Sequence, residues 1–73
     1  MKVYADIDND SGVAQYEYGD GYIDVLFKGN NKVYRYTYQS AGASHVEAMK
    51  RLADAGEGLN SYIQRNVRDL FER

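Results

Sequence analysis

The 73-residue chain has no cysteine, no proline and no tryptophan, and its single histidine is His45. Without cysteine, no disulfide can staple the fold, which excludes the cross-linked frameworks of small secreted domains. With one histidine and no thiolate, a structural zinc site lacks ligands. The want of cysteine fits a reducing compartment, and a cytoplasmic location is the expectation. No apolar run approaches the ~20 residues that cross a bilayer, so no membrane partner is expected. The opening segment MKVYADIDND lacks the apolar core of a secretory signal and turns acidic at once. A surplus of base is missing too: the formal net charge is −2. Proteins that hold duplex nucleic acid through phosphate contacts normally carry excess positive charge.

Tyrosine takes up the slack. The chain has eight Tyr and two Phe. A domain of this size buries only about 60% of the surface its unfolded chain exposes, so it depends heavily on packing or on a partner. Tyrosine supplies a large apolar ring whose hydroxyl stays wet or finds a partner.

The first part of the chain has the period of strands. Val3, Ala5 and Ile7 alternate with Tyr4, Asp6 and Asp8, which predicts a short edge strand with one polar face. Asn9 to Gly12 is turn chemistry, and Val13 to Tyr18 reads as a second strand. Gly19-Asp20-Gly21 suits a tight hairpin. Tyr22 to Lys28 follows as a third strand, Gly29-Asn30-Asn31 turns again, and Lys32 to Tyr38 is the fourth. Loops this short make the strands antiparallel neighbours.

The period then changes to 3.6. Ser44 with Glu47 fits a capping box, and Val46, Met49, Leu52 and Ala53 form the apolar stripe of the helix that follows. Glu47 and Arg51 are spaced to pair. Gly56 and Gly58 stop this helix. Leu59, Tyr62, Ile63, Val67, Leu70 and Phe71 predict one face of a second helix that runs to the C-terminus. The expected fold is α+β: a single domain over residues 1–73, with a three- to four-stranded antiparallel meander followed by two helices packed on one face of the sheet.

Three tyrosines, Tyr34, Tyr36 and Tyr38, share one face of the fourth strand. They could stack nucleic-acid bases or line the core. Matching them to the apolar face Ile23, Val25 and Phe27 places them under the helices. Arg35 and Thr37 then face outward with Asp24 and Lys28, where a partner would meet them. Lys28, Lys32 and Arg35, with Thr37, are the candidate nucleic-acid-binding residues. The competing reading is that these cations pair across strands with Asp24 and Glu17.

Asp6, Asp8, Asp10 and Glu17 nearly match a calcium loop at its positions 1, 3, 5 and 12. The glycine such a loop needs at position 6 is Ser11, and the flanks read as strands, so an acidic solvated turn is the simpler reading. Ser44-His45 lacks a third orienting group, and neighbours along a helix do not face each other. No catalytic residues, metal or cofactor are expected.

The order Ser11-x-Val13, Tyr18, Ile23-x-Val25-x-Phe27 and Tyr34-Arg35-Tyr36, followed by Gly56, Leu59-Asn60 and Ile63, resembles the KTSC domain family. The resemblance covers roughly residues 9–70. It departs from the family pattern at Ser40-Ala41-Gly42, where the family has Val-Pro, and near Asp69-Leu70, where the family has Tyr-Pro. The family occurs at the C-terminus of some lysyl-tRNA synthetases and as small stand-alone bacterial proteins. Its function is not established, and RNA binding has been suggested from the synthetase context. The resemblance implies that Tyr34, Tyr36, Asn60 and Ile63 mark the fold. The expected function is that of a small non-enzymatic binding or interaction module, as a monomer or weak homo-oligomer. The alternatives are an RNA-binding module using the open sheet face and a small homo-oligomeric structural protein.

Overall fold

A computed structural model describes residues 1–7 and 12–72. It has four antiparallel strands in a meander, followed by helices: β1 (Lys2–Val3), β2 (Val13–Gly19), β3 (Tyr22–Phe27), β4 (Val33–Thr37), α1 (Ala43–Ala55), α2 (Leu59–Tyr62) and a π-helical turn, Ile63–Val67. The expected α+β architecture is therefore observed. No helix among the described residues is long and apolar enough to cross a membrane.

Register sorts the sheet into two faces. Tyr16 stands opposite Val25, which stands opposite Tyr34; Tyr18 stands opposite Ile23, which stands opposite Tyr36. These residues form the face beneath the helices. Glu17, Asp24 and Arg35 form a row across the other face, with Tyr22 and Thr37 paired beside them. From the helices, Val46, Met49, Ala53, Leu59, Ile63 and Val67 close over the first face, all buried. Tyr36, at 1% exposure, is the largest fully buried side chain. The tyrosine row of β4 is thus graded: Tyr36 is core, Tyr34 is half-buried and Tyr38 lies at the exposed rim.

The first strand departs from expectation. Val3 is 76% exposed and Tyr4 is 3% exposed, the reverse of the apolar alternation read from the sequence. Tyr4 has far more ring to bury than Val3. It meets Tyr16 edge-on, and its hydroxyl accepts the Leu59 N–H, an otherwise orphaned donor at the start of α2. Pairing ends after two residues, and Asp6 takes a positive φ of 52°. The Ile7 N–H then reaches the Gly56 carbonyl at 2.7 Å, docking this segment on the end of α1.

The predicted capping box does not form. α1 begins at Ala43, two residues earlier than a Ser44 cap would require, and Gly42 is its N-cap. Glu47 instead accepts the Tyr38 hydroxyl and pairs with Lys50 rather than Arg51. Gly56 ends the helix in the left-handed region, its N–H bonding back to Leu52 and Ala53, as a C-terminal glycine should.

The second helix also ends early. Its last regular stretch is the π turn, after which the chain folds back and the Glu72 N–H donates to the Arg35 carbonyl on β4. The wide turn keeps Ile63 and Val67 both buried. The fold-back lays Phe71 on Tyr34, while Leu70 is left 42% exposed. This contact and the Thr37–Ser40 and Thr37–Ala41 hydrogen bonds occupy much of the outer edge of β4. An edge so occupied resists pairing with another strand.

Burial makes an alkaline prediction. Burial raises the Tyr16 hydroxyl, which also donates to Asp54, to a pKa of about 12; burial does the same for Tyr36. A tyrosine whose pKa is raised on folding supports stability fully below its ordinary value near 10. That support is lost as the pH rises through about 12. The fold is expected to hold at pH 10 and to lose stability progressively from about 10 toward 12. Tyrosinate absorbance followed with circular dichroism checks this. All eight tyrosines ionising near 10 with the fold intact would refute the burial.

Candidate ligand-binding groove

Two side-chain clusters stand out on the helix side of the sheet. The first joins β2 to α1. Tyr16 and Tyr18 lie two residues apart on one face, and Glu47, Lys50 and Asp54 repeat the helical period along α1. The Asp54 carboxylate accepts both hydroxyls, from Tyr16 at 2.8 Å and from Tyr18 at 2.6 Å. Lys50 extends over the rings of Tyr18 and Tyr38, 5.3 and 5.8 Å from their centroids, and its ammonium donates to Glu47.

Each group in this cluster is shifted away from neutrality. The Tyr18 and Tyr16 hydroxyls lower Asp54, and Lys50, then Tyr38, lower Glu47. Glu47 in turn raises Lys50 and Tyr38, and Asp54 raises Tyr18. General acid–base chemistry needs the opposite, a group brought toward the working pH. The cluster pins α1 to the sheet. A cleft of about 290 Å³ beside it is lined by Met1, Lys2, Tyr16, Glu17 and Tyr18.

The second cluster is a groove between the β3–β4 end of the sheet and the π turn. It holds about 370 Å³. Phe27, Tyr34, Tyr36 and Ile63 form its floor and inner wall, with Gln64, Arg68, Asp69 and Phe71 on the helical side. Its rings pack edge to face. Tyr34 meets Phe71 at 4.9 Å between centroids and 89° between planes, and Phe27 meets Tyr34 at 5.5 Å and 76°. Lys32, from the β3–β4 loop, carries its ammonium over two of them, 5.2 Å from the Tyr34 centroid and 5.6 Å from that of Phe71.

The candidate nucleic-acid residues are not brought together. Arg35 is on the open face, bonded through Nε and Nη2 to the two oxygens of Asp24 at 2.8 and 2.9 Å and stacked 4.3 Å over the Tyr22 ring. This contact holds the guanidinium firmly charged. Asp24 is only 4% exposed, so Arg35 supplies the partner a buried carboxylate needs. Lys28 is paired with Asp6 at 2.8 Å. Lys32 lies on the helix side, away from Arg35. Thr37 receives the Ser40 N–H on its hydroxyl, and its backbone N–H donates to the Ser40 hydroxyl.

Of the calcium candidates, Asp8 and Asp10 lie outside the described residues. Asp6 holds the Lys28 ammonium, and Glu17 is on the open face 3.8 Å from the N-terminal ammonium. Among the described residues no three His, Asp or Glu side chains converge as metal ligands. His45 is half-buried with Nδ1 2.7 Å from the Tyr62 hydroxyl, tying α1 to α2. Of the residues that mark the family resemblance, Tyr34, Tyr36 and Ile63 all line the groove, and Asn60 lies beside Gly12, where its Oδ1 is 3.8 Å from an added Cβ.

Sequence reasoning missed Asp54, Lys50 and Phe71. The spacing 47, 50, 54 was a usable signal for a polar stripe on α1. Phe71 gave none, because its role depends on the chain leaving the helix. No family model matches the chain, and no curated protein or solved structure matches it either.

Proposed function

We propose that the protein is a non-enzymatic binding module, built on a KTSC-like arrangement, whose ligand seat is the aromatic groove between β4 and the π turn. The observation that carries this reading is the groove itself. Four aromatic rings converge on a concavity of about 370 Å³, a size usual for small-ligand sites. The polar groups capable of chemistry elsewhere are spent on structural pairs: Asp24 on Arg35, Asp54 on Tyr16 and Tyr18, Glu47 on Lys50 and Tyr38, and His45 on Tyr62.

An RNA-binding module on the open face would call on Lys28, Lys32 and Arg35 together. It draws less support from the geometry, since Lys32 is on the other side and the remaining two cations face carboxylates. Isotope-labelled protein titrated with a mixed set of small aromatic and cationic fragments tests the proposal. Amide shifts are expected to collect at Tyr34, Ile63, Gln64 and Phe71. Shifts scattered over the surface would overturn the reading. A single-stranded oligonucleotide that moves Lys28 and Arg35 at low salt, and loses its grip steeply as salt rises, would favour RNA instead.

A further inference from the structure

The two lysines held over aromatic rings differ in a telling way. Lys50 is locked. Its ammonium bonds Glu47 at 2.8 Å, its side chain is only 13% exposed, and it sits in the middle of α1. The Lys32 ammonium has only the rings: among the described residues it makes no ion pair and no hydrogen bond, while the backbone N–H of Lys32 donates to Asn30 Oδ1 at 2.9 Å. It is exposed and follows the loop Gly29-Asn30-Asn31, where Gly29 has positive φ and open space around it. One cation is therefore built into the structure, and the other rests in a corner it can leave.

We propose that this corner, formed by Tyr34 and Phe71, is a receptor for a quaternary ammonium group, with Lys32 occupying it in the free protein. The inference rests on the reading of the groove as the ligand seat and names the ligand class. Its basis is the geometry of the rings. Two faces set at 89° both lie within 6 Å of a single cationic nitrogen. Aromatic faces attract cations through their quadrupole, and cages of such faces select quaternary ammonium ions.

Lys32 is a poor occupant of such a site. A primary ammonium has three N–H donors and is strongly hydrated. Over two rings, none of those donors has a protein acceptor among the described residues, so they are left to solvent. A trimethylammonium group has no N–H to satisfy, spreads its charge over methyl groups and gives the rings more surface to touch. Both rings of the corner also line the groove, whose space of about 370 Å³ is bordered further on by Phe27 and Ile63.

The consequence is that Lys32 competes with the ligand. Choline is the probe, and its uncharged isostere, with a tert-butyl group in place of trimethylammonium, is the control. Choline is expected to give saturable shifts at the rings of Tyr34 and Phe71, and the isostere much weaker ones. Lys32→Ala is expected to bind choline about two- to fivefold more tightly, the factor set by removing an exposed cation–π competitor. Phe71→Leu keeps an apolar side chain but removes a ring face, and is expected to weaken choline without changing binding of the isostere. Its amide spectrum establishes that the variant is folded.

Tighter choline binding by Lys32→Ala combined with preference over the isostere establishes the site. Equal binding of both ligands, weaker choline binding by Lys32→Ala, or no saturable shift with choline each overturns it. If the isostere or the mixed fragments still occupy the groove, the cation inference alone falls and the binding-module reading stands. If no fragment does, both fall.

Discussion

Tyr36→Ala is expected to remove about 3–5 kcal/mol of folding stability, as truncation of a large buried aromatic side chain does. A domain of this length has roughly 4–11 kcal/mol in total at the usual stability per residue. One substitution in the middle of β4 should therefore leave a barely folded protein. The cause is local. Tyr36 is 1% exposed, pairs with Ile23 across the ladder and meets Phe71 edge-on, so alanine leaves a cavity that three elements would have to collapse to fill. Tyr36→Phe keeps the ring, removes only the hydroxyl and should cost no more than about 1.5 kcal/mol, an upper bound for the loss of one neutral polar group. Urea unfolding of the two variants separates these cases. A wild-type midpoint for Tyr36→Ala would mean that the ring is not core.

Gly56→Ala is expected to be nearly as damaging, for a different reason. Gly56 closes α1 at φ 78°, where an L side chain costs roughly 1–2 kcal/mol in backbone strain. An added Cβ there would also lie 2.6 Å from the Cβ of Ala5, far inside contact distance. The neighbour cannot yield as the tip of a flexible side chain would. The whole 4–7 segment would have to move, taking with it the Ile7–Gly56 hydrogen bond and the burial of Tyr4. Gly29→Ala is the control. Its φ of 73° carries a similar strain, but nothing lies within 4 Å of the added carbon. The difference between the two variants in denaturant midpoint isolates the clash. Equal losses would mean that the N-terminal segment is not docked on the end of α1.

The sheet and the first helix were legible because period and punctuation agreed. Gly19-Asp20-Gly21 and Gly29-Asn30-Asn31 sit between alternating runs, and Val46, Met49 and Ala53 keep a helical spacing that Gly56 ends. The first strand was misread because alternation alone ranked Val3 and Ile7 above Tyr4. A tyrosine with a partner for its hydroxyl outcompetes a valine for burial. The end of the chain was misread because Leu70 and Phe71 continue the helical spacing. What turns the chain away is a tertiary bond, from Glu72 to the edge of β4.

The same contact hid the groove from sequence reasoning. Tyr34 was recognisable as a residue of the tyrosine row, but its neighbour Phe71 reaches it only after the π turn. The open face gave the opposite lesson. Arg35 had two readings, a residue free to meet a partner and one paired across strands with Asp24; register places Asp24 directly opposite, and the two close into a double hydrogen bond that bears out the second. Local pattern fixes which face a side chain takes, whereas the charge it meets there depends on how the strands align.

The most direct test of the account is to locate a bound ligand by intermolecular nuclear Overhauser effects. With choline present, the ligand methyl protons should show contacts to the rings of Tyr34 and Phe71, which border the groove. Contacts to Tyr22 and the Arg35 side chain instead, on the open face of the sheet, would contradict it.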